Sequence, residues 1–243
     1  MLKVYTKSDI GLVRSSNQDA YNDGILPDQS AWVVVCDGMG GANGGAVASS
    51  VAVKKISEHM VSNYKQGLSD SMIKELILSS IVNANMEVHN MASSDTELSG
   101  MGTTVVVALI SNGTAHIAHA GDSRAYLITP DEIRQLTTDH SMVQEMVNNG
   151  DLTEQQARQH PQKNIITRAL GVENSIEIDY CEIPFLQGSK LLICTDGLTN
   201  YVEAEQIFQL SRKVDGGALT EQLIELAKNS GGGDNITVAI VEN

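Results

Sequence analysis

Short apolar runs dense in Val and Ile recur along the chain: AWVVVC at 31–36, TTVVVALI at 103–110, AHIAHA at 115–120, KLLIC at 190–194 and NITVAIV at 235–241. Runs of this length, bounded by Gly, Asp and Asn, read as strands that are mostly buried. Asn112-Gly113 separates two of them and is a hairpin signal, because both residues tolerate positive φ. AYLITPDEIRQL at 125–136 marks a second hairpin around Pro130-Asp131. Several buried strands joined by hairpins must form stacked sheets.

Two long segments read as helices. Residues 44–65 follow a glycine-rich turn and place Val47, Val51, Val53, Ile56 and Met60 near helical spacing, and 70–92 do the same with Met72, Leu76, Ile77, Ile81, Val82 and Met86. A third helix around 218–229 carries Leu219, Leu223, Ile224 and Leu226. Between Ser141 and Gly171 the pattern turns polar: SMVQEMVNNG reads as a short helix stopped by Gly150, and Thr153 with Gln156 forms a capping box for another. Strands with interspersed helices predict an α+β fold with a sheet core covered by helices.

At 243 residues the chain is most simply a single domain, 1–243, with a small insertion at about 141–170. With 42% hydrophobic residues but 4% aromatic, its core must rest on aliphatic side chains. A formal net charge of −14 argues against nucleic acid or an anionic membrane as partner, since both require clustered Lys and Arg. The same charge needs an offset if the substrate is a phosphate ester, and bound metal would supply it. The N-terminal stretch lacks the apolar segment of a signal peptide and the longest apolar runs are too short to span a bilayer, so a cytoplasmic location is expected. Three cysteines, Cys36, Cys181 and Cys194, form no C-x-x-C pair; Cys36 and Cys194 read as buried structural thiols, and His116 and His119 as packing residues.

The chemistry gathers where strands end. VVVCDG delivers Asp37-Gly38, LLICTDG delivers Asp196-Gly197, Gly121-Asp122 follows AHIAHA, and Asp234 precedes the last strand. Any one Asp-Gly pair is an ordinary turn signal. Four acidic turns beside apolar strands also suit a carboxylate cluster at a sheet edge, and both readings stand at this point. Clustered carboxylates repel and raise one another's pKa; a cation relieves this, and an all-oxygen set favours hard ions such as Mg²⁺ or Mn²⁺. Arg14 has the planar fork suited to a phosphate, although alone it reads as a surface arginine. GMGGANG at 38–44 superficially matches a dinucleotide-binding turn, but no acidic residue ends a second strand about 20 positions on, where that motif needs one.

These residues resemble the metal-dependent protein serine/threonine phosphatases of type 2C, in particular compact bacterial members. The matching stretches are SDIGLVRSSNQDAY (8–21), VVVCDGMGG (33–41), MGTTVVVALI (101–110), AHAGDSRAYLI (118–128), LTTDHS (136–141), ITRALG (166–171), LLICTDGLTN (191–200) and GGGDNITVAIV (231–241), in the family's order. The resemblance implies a central antiparallel β-sandwich flanked by helices on both faces, with two or three Mn²⁺ or Mg²⁺ ions at one end. It implies Asp37 as the bridging ligand, a Gly38 carbonyl on the first ion, Asp196 and Asp234 on the second, and Asp122 with Asp196 on a third. It further implies Asp19 in the outer shell, Arg14 on the substrate phosphate, and a mobile flap at 141–170. The expected activity is hydrolysis of phosphoserine and phosphothreonine in proteins by a metal-activated water, without a phosphoenzyme, in a monomer opposing a cytoplasmic serine/threonine kinase.

One departure concerns the general acid. Relatives often carry a histidine after the Asp-Gly pair or after the paired glycines; this chain has Met39 and Ala42 there, leaving a metal-bound water as the expected proton source. Two other readings compete: a binding module that has lost turnover, and a metallohydrolase of small phosphorylated metabolites. The retained aspartates weigh against the first, and the second has no recognition motif to support it.

Overall fold

In this computed structural model the backbone is described throughout, as are all side chains except those of residues 42 and 43, so Ala42 lies outside the described side chains. The chain runs β1 (Lys3–Asp9), β2 (Asp19–Ile25), β3 (Ala31–Met39), α1 (Gly41–Asn63), α2 (Asp70–Ser94), β4 (Gly102–Thr103), β5 (Val105–Ser111), β6 (Thr114–Ala120), β7 (Arg124–Ile128) and β8 (Ile133–Gln135). It continues with α3 (Met142–Asn148), α4 (Glu154–Arg158), β9 (Asp179–Pro184), β10 (Lys190–Cys194), α5 (Asp196–Thr199), α6 (Ala204–Ser211), α7 (Gly216–Asn229) and β11 (Ile236–Glu242).

Two antiparallel sheets result. One has the order β1-β11-β10-β7-β8, the other β2-β3-β5-β6-β9, with β4 added beside β3. Because successive strand side chains alternate faces, β3 divides its residues between two cores. Ala31, Val33 and Val35 face the opposite sheet and meet Leu127, Leu191, Ile193 and Val241. Trp32, Val34 and Cys36 face α1 and α2, among Ile56, Met60, Ile73, Ile77 and Ile81. The other sheet repeats the scheme: Leu192, Cys194, Val238 and Ile240 pack under α5, α6 and α7 against Leu219, Leu223 and Ile224. This is the α-β-β-α layering the resemblance implies. Burial on both faces explains why these strands read as unbroken apolar runs. Each such side chain contributes about 1.5–3 kcal/mol on burial, against about 0–1 kcal/mol for an exposed pair such as Lys7–Glu221. The sandwich therefore rests on its three cores.

Two expectations are corrected. The glycine-rich stretch after β3 is not a turn preceding a helix at 44; α1 begins at Gly41, making that stretch its first turn. On α2 the buried line is Ile73, Leu76, Ile77, Ile81, Ala84 and Val88, whereas Met72, Val82 and Met86 are exposed. Among the described residues no helix is long and apolar enough to cross a membrane.

Candidate active site

Strand parity carries the site out of the core. Val35 points between the sheets, Cys36 towards the helices, so Asp37 points between the sheets again, at their open end. Asp19 stands directly opposite Asp37 in the β2–β3 register. From the other sheet, Ala239 faces inward and Val238 outward, which turns Thr237 inward; Thr195, just past β10, faces it and donates its N–H to the Thr237 carbonyl. Both threonine hydroxyls donate to Asp19 Oδ2, at 2.9 Å from Thr195 and 2.7 Å from Thr237. Asp19 Oδ1 is buried without any hydrogen-bond partner.

A cleft of about 500 Å³ opens at this end, lined by Asp37, Gly38, Asp122, Asp196, Asp234 and Arg14 among others. Asp196 begins α5 and accepts from Asn200 at 2.8 Å. Asp234 holds Arg14 in a two-point pair, Nε to Oδ1 and Nη2 to Oδ2, each at 2.9 Å. Asn235 pins the loop that carries Arg14: its amide donates to the carbonyls of Ile10 and Ser16, and its oxygen accepts from the Gln18 N–H. Gly38 is required here by close approach, because a Cβ would lie 2.0 Å from the Gly45 carbonyl oxygen on α1.

The carboxylates are electrostatically mismatched with their surroundings. Burial raises Asp37 well above the usual carboxylate range, and Asp19, Asp196, Asp122 and Asp234 raise it further. Burial, opposed by Thr237 and Thr195, brings Asp19 to about 7. Asp122 is raised to about 8 by burial and then by Asp196 and Asp139. Asp196 is also raised, by burial and then Asp234, against hydrogen bonds from Asp37 and Asn200. Buried acids with few positive neighbours, an orphaned oxygen at Asp19 and an all-oxygen donor set fit hard divalent cations.

A second polar cluster has metal-ligand chemistry but does not fit a metal. His119, His140 and Asp179 bring three potential ligand atoms within 4.8 Å of one another. Arg168 already occupies this cluster, with Nη1 2.9 Å from Asp179 and 3.2 Å from His140 Nε2. A guanidinium at that distance supplies the positive charge and repels a second cation. The cysteines stand where packing predicts: burial raises Cys36 and takes Cys194 to about 12, far from a nucleophilic thiolate. His116 and His119 are buried in β6. No histidine lines the aspartate cleft among the described residues.

Sequence reasoning missed Thr195, Thr237, Asn235, Asn200 and the pair Thr103–Thr104, which hold the site. Asp37 N–H donates to Thr104 Oγ1 at 3.0 Å, while Thr103 Oγ1 donates to the Asp37 carbonyl at 2.8 Å. For the threonines the available signal was a hydroxyl residue interrupting or ending an otherwise apolar strand run.

A two-sheet sandwich between helical layers, open at an aspartate-lined end, is an architecture with known counterparts. Residues 13–226 match the family described as protein phosphatase 2C. The chain belongs to that family, whose members are metal-dependent, and it is a serine/threonine phosphatase, a hydrolase acting on phosphoproteins. It is 40% identical to the serine/threonine phosphatase stp of Listeria innocua over 97% of this chain and 94% of that one. It is 35% identical to protein phosphatase PhpP of Streptococcus pneumoniae, over 99% and 97%. The solved serine/threonine phosphatase of S. agalactiae superposes with a TM-score of 0.93 at 35% identity, covering 100% of this chain and 99% of that one. The catalytic domain of the serine threonine protein phosphatase PstP, solved in complex with two manganese ions, gives 0.87 at 30% identity, covering 99% and 97%.

Proposed function

We propose that this phosphatase hydrolyses phosphoserine and phosphothreonine at the sandwich mouth, with Asp37, Asp122, Asp196, Asp234 and the Gly38 carbonyl holding two or three Mn²⁺ or Mg²⁺ ions. The observation that carries this reading is the group of buried carboxylates raised far above their ordinary pKa, with an unpartnered Asp19 oxygen beside them. When bound, the cations supply a nucleophilic water at neutral pH and offset charge on the phosphoryl oxygens. Asp37, at the end of a strand buried on both faces, would hold the cations from a rigid backbone. Asp19, fixed by two threonine hydroxyls, orients water in the outer shell through its free oxygen. Arg14 lies on the cleft rim with its side chain 51% exposed. Its fork can turn from Asp234 to two phosphoryl oxygens once Asp234 serves a cation.

Residues 141–170 act as a flap over the cleft's second arm, a groove of about 370 Å³ that includes Asp122, Arg124, Lys163 and Asp196. The substrates are then targets of a cytoplasmic serine/threonine kinase, and the enzyme works there as a monomer. With no histidine in the cleft among the described residues, protonation of the leaving alkoxide falls to water.

The test is hydrolysis of a phosphothreonine peptide in Mn²⁺, in EDTA and by Asp37→Asn, with a small phosphate ester alongside. Turnover by wild type in Mn²⁺ alone, preferring the peptide, is the expected result. Asp37→Asn should fall to background while its metal-free melting temperature equals or exceeds that of wild type, since an amide spares the cost of keeping this buried carboxyl protonated at neutral pH. Full activity of Asp37→Asn, or in EDTA, would overturn the assignment.

A further inference from the structure

The turn Gly121-Asp122-Ser123 joins β6 to β7 and is held from two sides. On one side stands Thr104. Its hydroxyl accepts the Asp37 N–H at 3.0 Å and shares a hydrogen bond with Ser123 Oγ, 2.7 Å away. Gly121 has φ of +110° and a Cβ there would lie 2.6 Å from Thr104, so the turn is pressed against that residue with no room to move towards it.

On the other side stands His140, the last residue before the insertion. It pairs with Gly121 twice: His140 N–H donates to the Gly121 carbonyl at 2.9 Å, and Gly121 N–H donates to ring Nδ1 at 3.1 Å. A peptide N–H can only donate, so Nδ1 is the acceptor and the neutral ring carries its proton on Nε2. Nε2 faces Asp179 Oδ2 at 3.3 Å, and Arg168 donates to the other oxygen of that carboxylate at 2.9 Å. The ring plane is fixed by stacking on His119, with centroids 4.7 Å apart and planes 9° from parallel. His119 is itself held by the Thr138 carbonyl at 2.9 Å. Asp179, itself held by Arg168, and His119 thus orient one imidazole so that its remaining lone pair meets the peptide next to Asp122.

We propose that His140 is a positioning residue for the metal centre: its Nδ1 holds the Gly121–Ser123 turn so that Asp122 faces the cleft beside Asp196. The inference rests on the reading of Asp122 as a metal ligand. It makes the residue just before the flap also the one that sets Asp122. Since the His140 carbonyl accepts from Thr167 N–H at 2.8 Å, both ends of the insertion meet at this residue.

The test is Mn²⁺ binding, followed by calorimetry and by the electron paramagnetic resonance of free Mn²⁺, on wild type, His140→Leu, His140→Asn and Asp122→Ala. Asparagine places an amide oxygen where Nδ1 stood; leucine keeps bulk without an acceptor. The weakest Mn²⁺ event should weaken about tenfold in His140→Leu, stay within about twofold of wild type in His140→Asn, and vanish in Asp122→Ala. If His140→Leu does not fold, His140→Gln serves, because its amide reaches the Nε2 position but leaves Gly121 N–H unmet; it should show the same weakening. A wild-type isotherm for His140→Leu or His140→Gln, with the event lost in Asp122→Ala, would overturn the role of His140 and leave Asp122 as a ligand. An unchanged isotherm for Asp122→Ala would instead overturn the reading of Asp122, and this inference with it.

Discussion

Thr195 and Thr237 converge on one oxygen of Asp19 from the opposite sheet. Each hydroxyl lowers the energy of the ionised carboxylate, and neither can be replaced by water at a buried position. Thr237→Val keeps shape and removes one donor, so the metal-free protein at neutral pH should lose about 1–3 kcal/mol of unfolding free energy in urea. The related loss of Mn²⁺ affinity should be about tenfold or more. Unchanged stability and unchanged affinity together would show that Thr237 does not hold Asp19. Asp37, Asp122, Asp196 and Asp234 were legible in the sequence because each ends or begins an apolar run beside glycine, whereas Asp19 came only through the family resemblance. The threonines were not, since their role depends on which residues stand opposite across two sheets, and register is invisible in one strand read alone.

The elements divide in the same way. β3, β5, β10 and β11 are buried on both faces and announce themselves as continuous Val and Ile runs. β1 and β2, KVYTKSD and DAYNDGI, lie at sheet edges with partly exposed faces, and their polar residues hide them. α6 escapes for a different reason: its eight residues are too few for a periodicity to stand out. Residues 142–158 read correctly as two capped helices, Gly150 closing the first and Thr153–Gln156 boxing the second. What could not be read was its anchoring. Lys163 donates to Asn200 at 2.8 Å, and Asn200 to Asp196 at the same distance, while Arg158 pairs with Glu203 at the start of α6. Replacing Lys163 with Met keeps the stem and removes the anchor. Amide exchange in 142–165 should then quicken severalfold while exchange in β3 and β5 is unchanged, as expected for a local opening. Equal protection of the insertion in both proteins would mean that Lys163 does not tether it.

For the whole molecule, the mouth couples stability to pH and metal. In the metal-free fold Asp19 and Asp122 keep their protons up to about 7 and about 8, whereas an unfolded aspartate releases its proton near 3.9. Over that window the folded state binds more protons than the unfolded one, so unfolding free energy falls as pH rises. The melting temperature in EDTA should therefore drop by several degrees between about pH 5 and about pH 8.5, and saturating Mn²⁺ should abolish the drop by replacing the protons. A melting temperature in EDTA that is flat or rises over this range would contradict the charge distribution described.

β1 pairs along its whole length with β11, Lys3 opposite Glu242 and Asp9 opposite Ile236, and β11 is the strand that joins β1 to β10. During synthesis the earliest strand must wait for the latest one. Until β11 arrives, a growing chain has neither Thr237 to hold Asp19 nor Asp234 at the mouth. Its first sheet is split into two unpaired pieces, and contacts of such long sequence separation form slowly. The protein is thus withheld from its substrates until its last strand is in place. Completion of the fold and completion of the mouth become a single event, and a chain cut short before residue 234 should leave a fragment without phosphatase activity.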